Sequence, residues 1–197
     1  MGTTTMVGLA LVVALGIFAV LAYNRLVALR NAIGNAFAQI DVQLKRRYDL
    51  IPNLVETARK YLQHERETLE AVTTARSAAQ TAAGVARQNP ASAGAVSALG
   101  AAEGLLGGVL GRLMAVAEAY PELKADQTMR ELSEELTSTE NRVGFARQSY
   151  NDSVLDYNNA AGQFPANLVA RVFGFQPAAM LQSTQSVAER QVPRVQF

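Results

Sequence analysis

Several residue types that carry protein chemistry are rare or missing in this chain of 197 residues. It contains no cysteine and no tryptophan, and His64 is its one histidine. The lack of cysteine excludes disulfides, thiolate nucleophiles, cysteine-ligated metals and a lipid attached to cysteine. One histidine leaves most metal sites and histidine-based acid–base schemes without their usual residues. The composition therefore predicts no cofactor and gives no support to an enzyme.

The chain also lacks an excess of charge of one sign. Its 18 basic and 17 acidic residues give a formal net charge of +1. Binding of nucleic acid needs a concentrated basic surface. We therefore expect no nucleic-acid partner.

Two short patterns invite comparison with catalytic sites. His64-Glu65 resembles the start of a zincin helix, but Thr68 stands where the second histidine would be. Asp152 and Asp156 lie four residues apart, and no further ligand is near them in sequence. We therefore reject zinc at His64, interpret the two aspartates as part of a solvated helix face, and predict no catalytic or metal site.

Residues 6–23, MVGLALVVALGIFAVLAY, contain no charged residue. As a helix they are long enough to cross a hydrocarbon core of about 30 Å. A signal peptide is the alternative, but no lysine or arginine precedes the run. Arg25 and Arg30 follow it closely. The positive-inside rule therefore predicts a single-pass protein with residues 1–5 outside, residues 6–23 across the membrane and the following residues in the cytoplasm.

Apolar residues recur every three or four positions after Arg25, which predicts that the membrane helix continues into a soluble helix. Pro52 predicts a kink or short break around residues 49–52, after which the helix resumes and ends near Gln88. Asn89-Pro90 predicts a turn. The Ala- and Gly-rich residues 82–111 are interpreted as a flexible connector.

A last long helix is predicted from an N-cap at Asp126 to Pro165. It has an apolar seam of coiled-coil period from Met129 to Phe164, in which Thr139 is the one polar position. The fold class is therefore all-α. We expect an antiparallel up-and-down bundle of three to four long helices over residues 24–164.

Opposite charges on the first and last helices predict that the two pack together or meet across a subunit boundary. They also make the chain a candidate homo-oligomer. The interface candidates are Lys45, Arg46 and Arg47 on the basic helix, with Glu134 and Glu135 on the acidic one.

Residues 165–197 form an amphipathic C-terminal segment and tail. Leu168, Val172, Phe173 and Phe175 are its interface candidates. The short helix that they predict could cap the bundle, bind in a partner's groove or lie on the membrane surface.

Tyr150-Asn151 and Tyr157-Asn158 repeat at an interval of seven. A buried tyrosine or asparagine needs hydrogen-bond partners, so we interpret both pairs as setting helix register.

The chain resembles the LemA family over nearly its whole length. The resemblance rests on QLKRRYDLIPNL (residues 43–54), YPELK (120–124), TENRVGFARQSYN (139–151) and FPANLVARVFGF (164–175), with Phe37 at a position where family members have tryptophan. It implies a bacterial inner-membrane protein with an N-terminal anchor, a four-helix bundle and no established enzymatic activity or cofactor. It also implies a link to membrane metalloproteases of the HtpX type and to quality control of membrane proteins.

These observations favour a membrane-anchored helical scaffold or adaptor. A membrane-shaping protein that assembles into curved lattices is the alternative. An enzyme that uses Glu134, Glu135 or Asp152 is the weakest hypothesis.

Overall fold

The protein is described by a computed structural model over residues 2–181, and within this range it has six α-helices and no strand. Residues 182–197, part of the predicted tail, lie outside the described range. The helices are α1 (Thr3–Arg59), α2 (Arg66–Gln88), α3 (Ala93–Glu118), α4 (Pro121–Ala125), α5 (Gln127–Gly162) and α6 (Ala166–Val172). The predicted all-α fold is confirmed, with α1, α2, α3 and α5 as the four helices of an up-and-down bundle.

Helix α1 has 57 residues and two different environments. Side chains from Thr3 to Leu21 are exposed apart from Ala19, whereas the helix buries a regular stripe from Ala22 onward. The exposed part is long and apolar enough to cross a membrane. At 1.5 Å per residue the helix is about 85 Å long, so one rod contains the apolar segment and the first bundle helix.

Of the two effects predicted for Pro52, a kink or a short break at residues 49–52, the break is wrong, because α1 continues through Pro52 to Arg59. The actual break covers residues 60–65 and separates α1 from α2. It contains neither glycine nor proline, which left no signal for it in the sequence. The predicted end of the following helix at Gln88 is confirmed.

The predicted flexible connector is wrong as well. Residues 82–88 belong to α2 and residues 93–111 to α3, with a turn only from Asn89 to Ser92. The side chain of Ser92 caps α3 by accepting from the backbone N–H of Ala95. The glycines do not unwind α3 because apolar side chains along the helix are buried in the core. These residues are Val96, Leu99, Leu106, Leu110, Leu113 and Ala117. Although α3 also meets the length and hydropathy of a membrane span, it packs within the bundle.

Helix α5 begins as predicted. The carboxylate of Asp126 accepts a hydrogen bond from the N–H of Met129 at 2.9 Å, and α5 ends at Gly162. Its predicted seam is buried or half-buried, and Thr139 fills the one polar position with its hydroxyl bonded to the carbonyl of Glu135. Phe164 departs from the seam and is 79% exposed, because it follows the end of the helix.

Helices α1 and α5 run antiparallel and pack along most of their shared length, while α2 packs on α3 and also contacts α1. Ten residues separate Phe37 from Arg47 on α1, and ten separate Glu140 from Tyr150 on α5. Phe37 contacts Tyr150 and Arg47 contacts Glu140, so the register holds over this interval. The packing of α1 on α5 places three features along the bundle. They are a buried polar cluster, the surface that binds the C-terminal segment, and a group of aromatic residues at the end of the bundle next to the exposed apolar part of α1, which we call the anchor end.

Candidate functional site

The bundle core contains a buried ion pair. Arg47 of α1 donates to Glu103 of α3 at 2.7 Å and to Glu140 of α5 at 2.8 Å. The side chains of Arg47 and Glu103 are only 7% and 5% exposed. Tyr48 donates its hydroxyl proton to the other oxygen of Glu103. Charged groups are stable at this depth only when paired, so the cluster ties three helices together at one level.

A cavity of about 180 Å³ adjoins this cluster. Gly100 and Gly107 leave room for it, and Arg147 completes its charged lining. Burial lowers the pKa of Arg147, with Glu103 acting in the opposite direction. Burial, reinforced by Glu103, raises the pKa of Tyr48 above its ordinary value. The cavity is lined by two arginines and two glutamates, so its lining favours neither an anionic nor a cationic ligand.

The predicted attraction between the basic and acidic helices is found within one chain. Arg46 pairs with Glu135 at the surface, one turn from the Arg47–Glu140 contact. Lys45 and Glu134 are exposed but lie on different sides of the bundle, since Lys45 faces a cleft towards α2 and Glu134 faces one towards α3. The five predicted interface residues therefore do not form one surface, and their use between chains stays a prediction.

The chain after α6 docks on α5 through its backbone. The side-chain amide of Asn158 donates to the carbonyl of Ala178 and accepts from its N–H, both at 2.9 Å. Asn151 forms the same pair of bonds with Leu181, at 3.0 and 2.8 Å. Each asparagine thus satisfies both polar groups of one residue in the docked segment, which we call the tail segment (residues 176–181).

The two tyrosines beside these asparagines bind the tail segment as well. Tyr157 donates to the carbonyl of Gln176 at 2.8 Å. The hydroxyl of Tyr150 lies 3.0 Å from the carbonyl of Ala179 and 2.7 Å from that of Pro90. Burial raises the pKa of Tyr150 to about 12. The predicted need for hydrogen-bond partners is met by the tail segment and the α2–α3 turn rather than by another long helix.

Helix α6 lies at the end of the bundle where α1 emerges from its exposed apolar stretch. Ala170 packs with Leu26 of α1 and Ala160 of α5 in a small separate core. The ring of Tyr23 makes edge-to-face contacts with those of Phe173 and Phe175, with centroids 4.9 and 5.6 Å apart. Helix α6 and the two phenylalanines that follow it therefore cover the anchor end of the bundle.

The other side of α6 is exposed and apolar. Leu168, Val172 and Phe173 are predicted interface candidates, and they are 53%, 80% and 58% exposed, whereas Phe175 is half-buried. The structure thus brings these four predicted residues together at one end, about 30 Å along α1 from Arg47 at 1.5 Å per residue.

Sequence reasoning missed Glu103 and the contacts of Tyr23. A signal for Glu103 did exist, because it is the one charged residue between Arg87 and Arg112. Such a lone carboxylate in an apolar run predicts a buried partner. Nothing in the sequence indicated that Tyr23 would contact residues 150 positions away.

A family model, described as the LemA family, matches residues 36–197. The chain belongs to the LemA family. Among curated proteins it is similar to two magnetosome proteins of Paramagnetospirillum magneticum, MamQ 1 and MamQ 2, with 36% identity over 89 residues in each case. It is also similar to the magnetosome protein MamQ of Magnetospirillum gryphiswaldense, with 37% identity over 82 residues.

These matches cover 42–45% of this LemA family chain and 30–33% of the relatives. The chain thus spans about a third of the length of the curated relatives that it matches. The apolar N-terminal part of α1, in a chain of this family, indicates a membrane-associated protein.

Proposed function

We propose that this LemA family protein is a membrane-anchored helical scaffold that presents its bundle to a partner in or on the bacterial inner membrane. The observation that carries the proposal is the continuity of α1. The helix runs without a break from the exposed apolar residues 3–21 into the core, where Arg47 joins α1 to α3 and α5. A protein that positions others needs such a fixed relation between anchor and body.

The orientation and the partners are part of the same proposal. Arg25 and Arg30 favour a cytoplasmic bundle with the N-terminus outside. The candidate partners are a second copy of the chain and a membrane metalloprotease of the HtpX type, the latter only through the family resemblance. The role is non-catalytic, with the charged groups of the core serving to brace the bundle.

Cross-linking from single cysteines in the full-length protein tests the proposal, because the chain has no cysteine of its own. Cysteine at exposed Lys45 and at exposed Glu134 samples two sides of the bundle, and cysteine at exposed Glu70 on α2 samples a third helix. We expect at least one side, but not all three, to give a discrete cross-linked species in intact membranes. Monomer alone from every position would contradict a scaffold, and equal cross-linking from all three would indicate random collision.

A second arm tests sidedness. The same cysteines are treated with a membrane-impermeant maleimide before and after the cells are opened. We expect Lys45→Cys to react only after opening. Reaction in intact cells would place the bundle outside and contradict the proposed orientation.

A further inference from the structure

Four large apolar side chains are exposed at the anchor end of the bundle. We call them the collar: Phe164, Leu168, Val172 and Phe173, which are 79%, 53%, 80% and 58% exposed. They lie within ten residues of sequence on α6 and its flanks. An apolar cluster of this kind on an otherwise well-packed domain is typical of a surface that is covered by something other than water.

The position of the collar indicates what covers it. Phe173 contacts Tyr23, and Tyr23 is separated by one residue from Leu21, which is 63% exposed at the end of the apolar stretch of α1. Ala22 is 8% exposed and begins the buried stripe of the bundle. The collar is thus continuous with the surface that the anchor offers to lipid. The ring of Tyr23 at this depth matches the interfacial layer of a bilayer, where tyrosine and tryptophan are enriched.

The charge next to the collar is basic. Arg171 lies on α6 and Arg25 lies two residues after Tyr23. Arg30 lies further along α1 near Tyr157, at the level of Asp156, the first acidic residue of α5 counted from this end. All three arginines are exposed. Anionic lipid headgroups attract such residues by about 1 kcal/mol each near the surface. A protein partner would have to match the same apolar and basic surface, whereas a bacterial bilayer offers both complements beside the anchor.

We infer that the collar is a membrane-docking surface, with α6 lying in the interfacial layer of the bilayer beside the exit of α1. The inference rests on the proposed anchoring of α1 and adds a second attachment. The buried side of α6, through Ala170, holds the bundle, and its exposed side holds the lipid. The anchor and the collar are then two attachments to the same bilayer and together fix the tilt of α1, which one helix crossing a bilayer cannot do alone.

Single tryptophans test the inference cleanly, since the chain has none. Full-length V172W and F173W are reconstituted in vesicles of phosphatidylcholine and phosphatidylglycerol, with and without lipids brominated near the headgroup. Y23W is the positive control at the end of the anchor. F145W, at a 74% exposed site on α5 about 30 Å further along the bundle, is the negative control.

We expect bromine to quench V172W and F173W nearly as strongly as Y23W, and to leave F145W unquenched. Val172 is so exposed that tryptophan there does not disturb packing, and far-ultraviolet circular dichroism checks the fold of each variant. Quenching of Y23W without quenching of V172W or F173W would overturn the membrane-docking collar and leave the anchor intact. An unquenched Y23W would overturn the proposed anchoring itself.

A different occupant would give a different signal. If a second copy covers the collar, V172W emission shifts to the blue as the protein-to-lipid ratio rises, while bromine has no effect on it. That outcome would overturn docking to lipid in favour of a dimer contact at the same surface.

Discussion

The carbonyl oxygen of Tyr48 accepts a hydrogen bond from Nε of Arg76 at 2.6 Å. In an uninterrupted helix this carbonyl would bind the N–H of residue 52, and Pro52 has none. Arg76 on α2 supplies the missing donor from outside the helix. Helix α1 therefore continues past Pro52. The carbonyl that the proline leaves without its usual donor instead forms a hydrogen bond between α1 and α2.

Arg76→Met should lower the free energy of unfolding by about 1–3 kcal/mol, because the carbonyl of Tyr48 loses its replacement donor. In a Pro52→Ala background the N–H of residue 52 returns, and the same change should cost clearly less. Denaturant unfolding in mild detergent, followed by circular dichroism, gives the double-mutant cycle. An equal cost in both backgrounds would show that Arg76 does not compensate for Pro52.

Glu103→Ala should destabilise the bundle by about 3–5 kcal/mol, since it removes a partner from the buried charge of Arg47. Glu135→Ala is the matched control, because it breaks the pair with half-exposed Arg46 and should cost less than about 1 kcal/mol. Replacing both Arg47 and Glu103 by methionine and leucine should recover much of the loss. Thermal unfolding of the four proteins compares them directly, and similar losses for Glu103→Ala and Glu135→Ala would contradict a buried brace.

The double change Asn151→Ala, Asn158→Ala should release the tail segment from α5. It removes all four amide bonds to Ala178 and Leu181, so hydrogen–deuterium exchange over residues 176–181 should become faster. Asn159→Ala, an exposed neighbour on the same helix, should leave exchange unchanged. Unchanged protection in the double variant would mean that the buried side chains of the segment hold it without the asparagines.

Alkaline pH should weaken the fold through Tyr150. Burial raises its pKa from 10.0 to about 12, so the folded protein holds the phenol proton more tightly than the unfolded chain. Its contribution is complete below pH 10 and is lost as the pH rises from 10 to about 12. Tyr150→Phe should therefore be less stable than the wild type at pH 8 but should lose less stability across this window. Tyr48 and Tyr157, whose pKa values are raised mainly by burial, add a slope of the same sign in both proteins. Melting temperatures measured from pH 8 to 11.5 give the two slopes, and parallel slopes would contradict the assignment.

The sequence was most informative where one pattern decides the structure. Steps of three and four from Leu26 to Ala58 predict the buried stripe of α1, and Asp126 predicts the start of α5, because burial and capping depend on local spacing. The end of α1 was missed because residues 60–65 contain no helix breaker. Pro52 misled because its cost is offset by Arg76, 24 residues away.

Long-range contacts limited prediction of the candidate sites. The pattern of residues 166–173 predicted a short amphipathic helix but not which side would face the bundle, since that depends on Leu26 and Ala160. Asn151 and Asn158 were recognised as needing partners, yet the partners are backbone groups of a segment without any motif. Glu103 was overlooked because a glycine-rich helix was interpreted as a connector.

The unbroken path of α1 has a geometric consequence for how this protein meets its neighbours. A helix advances about 1.5 Å and turns about 100° with each residue. The number of residues between Tyr23 and Arg47 therefore affects the rotation of the bundle about the helix axis much more than its distance along that axis. Inserting one residue there would hardly lift the bundle but would swing it by more than a quarter of a circle about the anchor. The rotation of the bundle relative to the N-terminal part of α1 is thus set by the number of residues between them, and a partner that bound the proposed anchor would always meet the same face of the bundle.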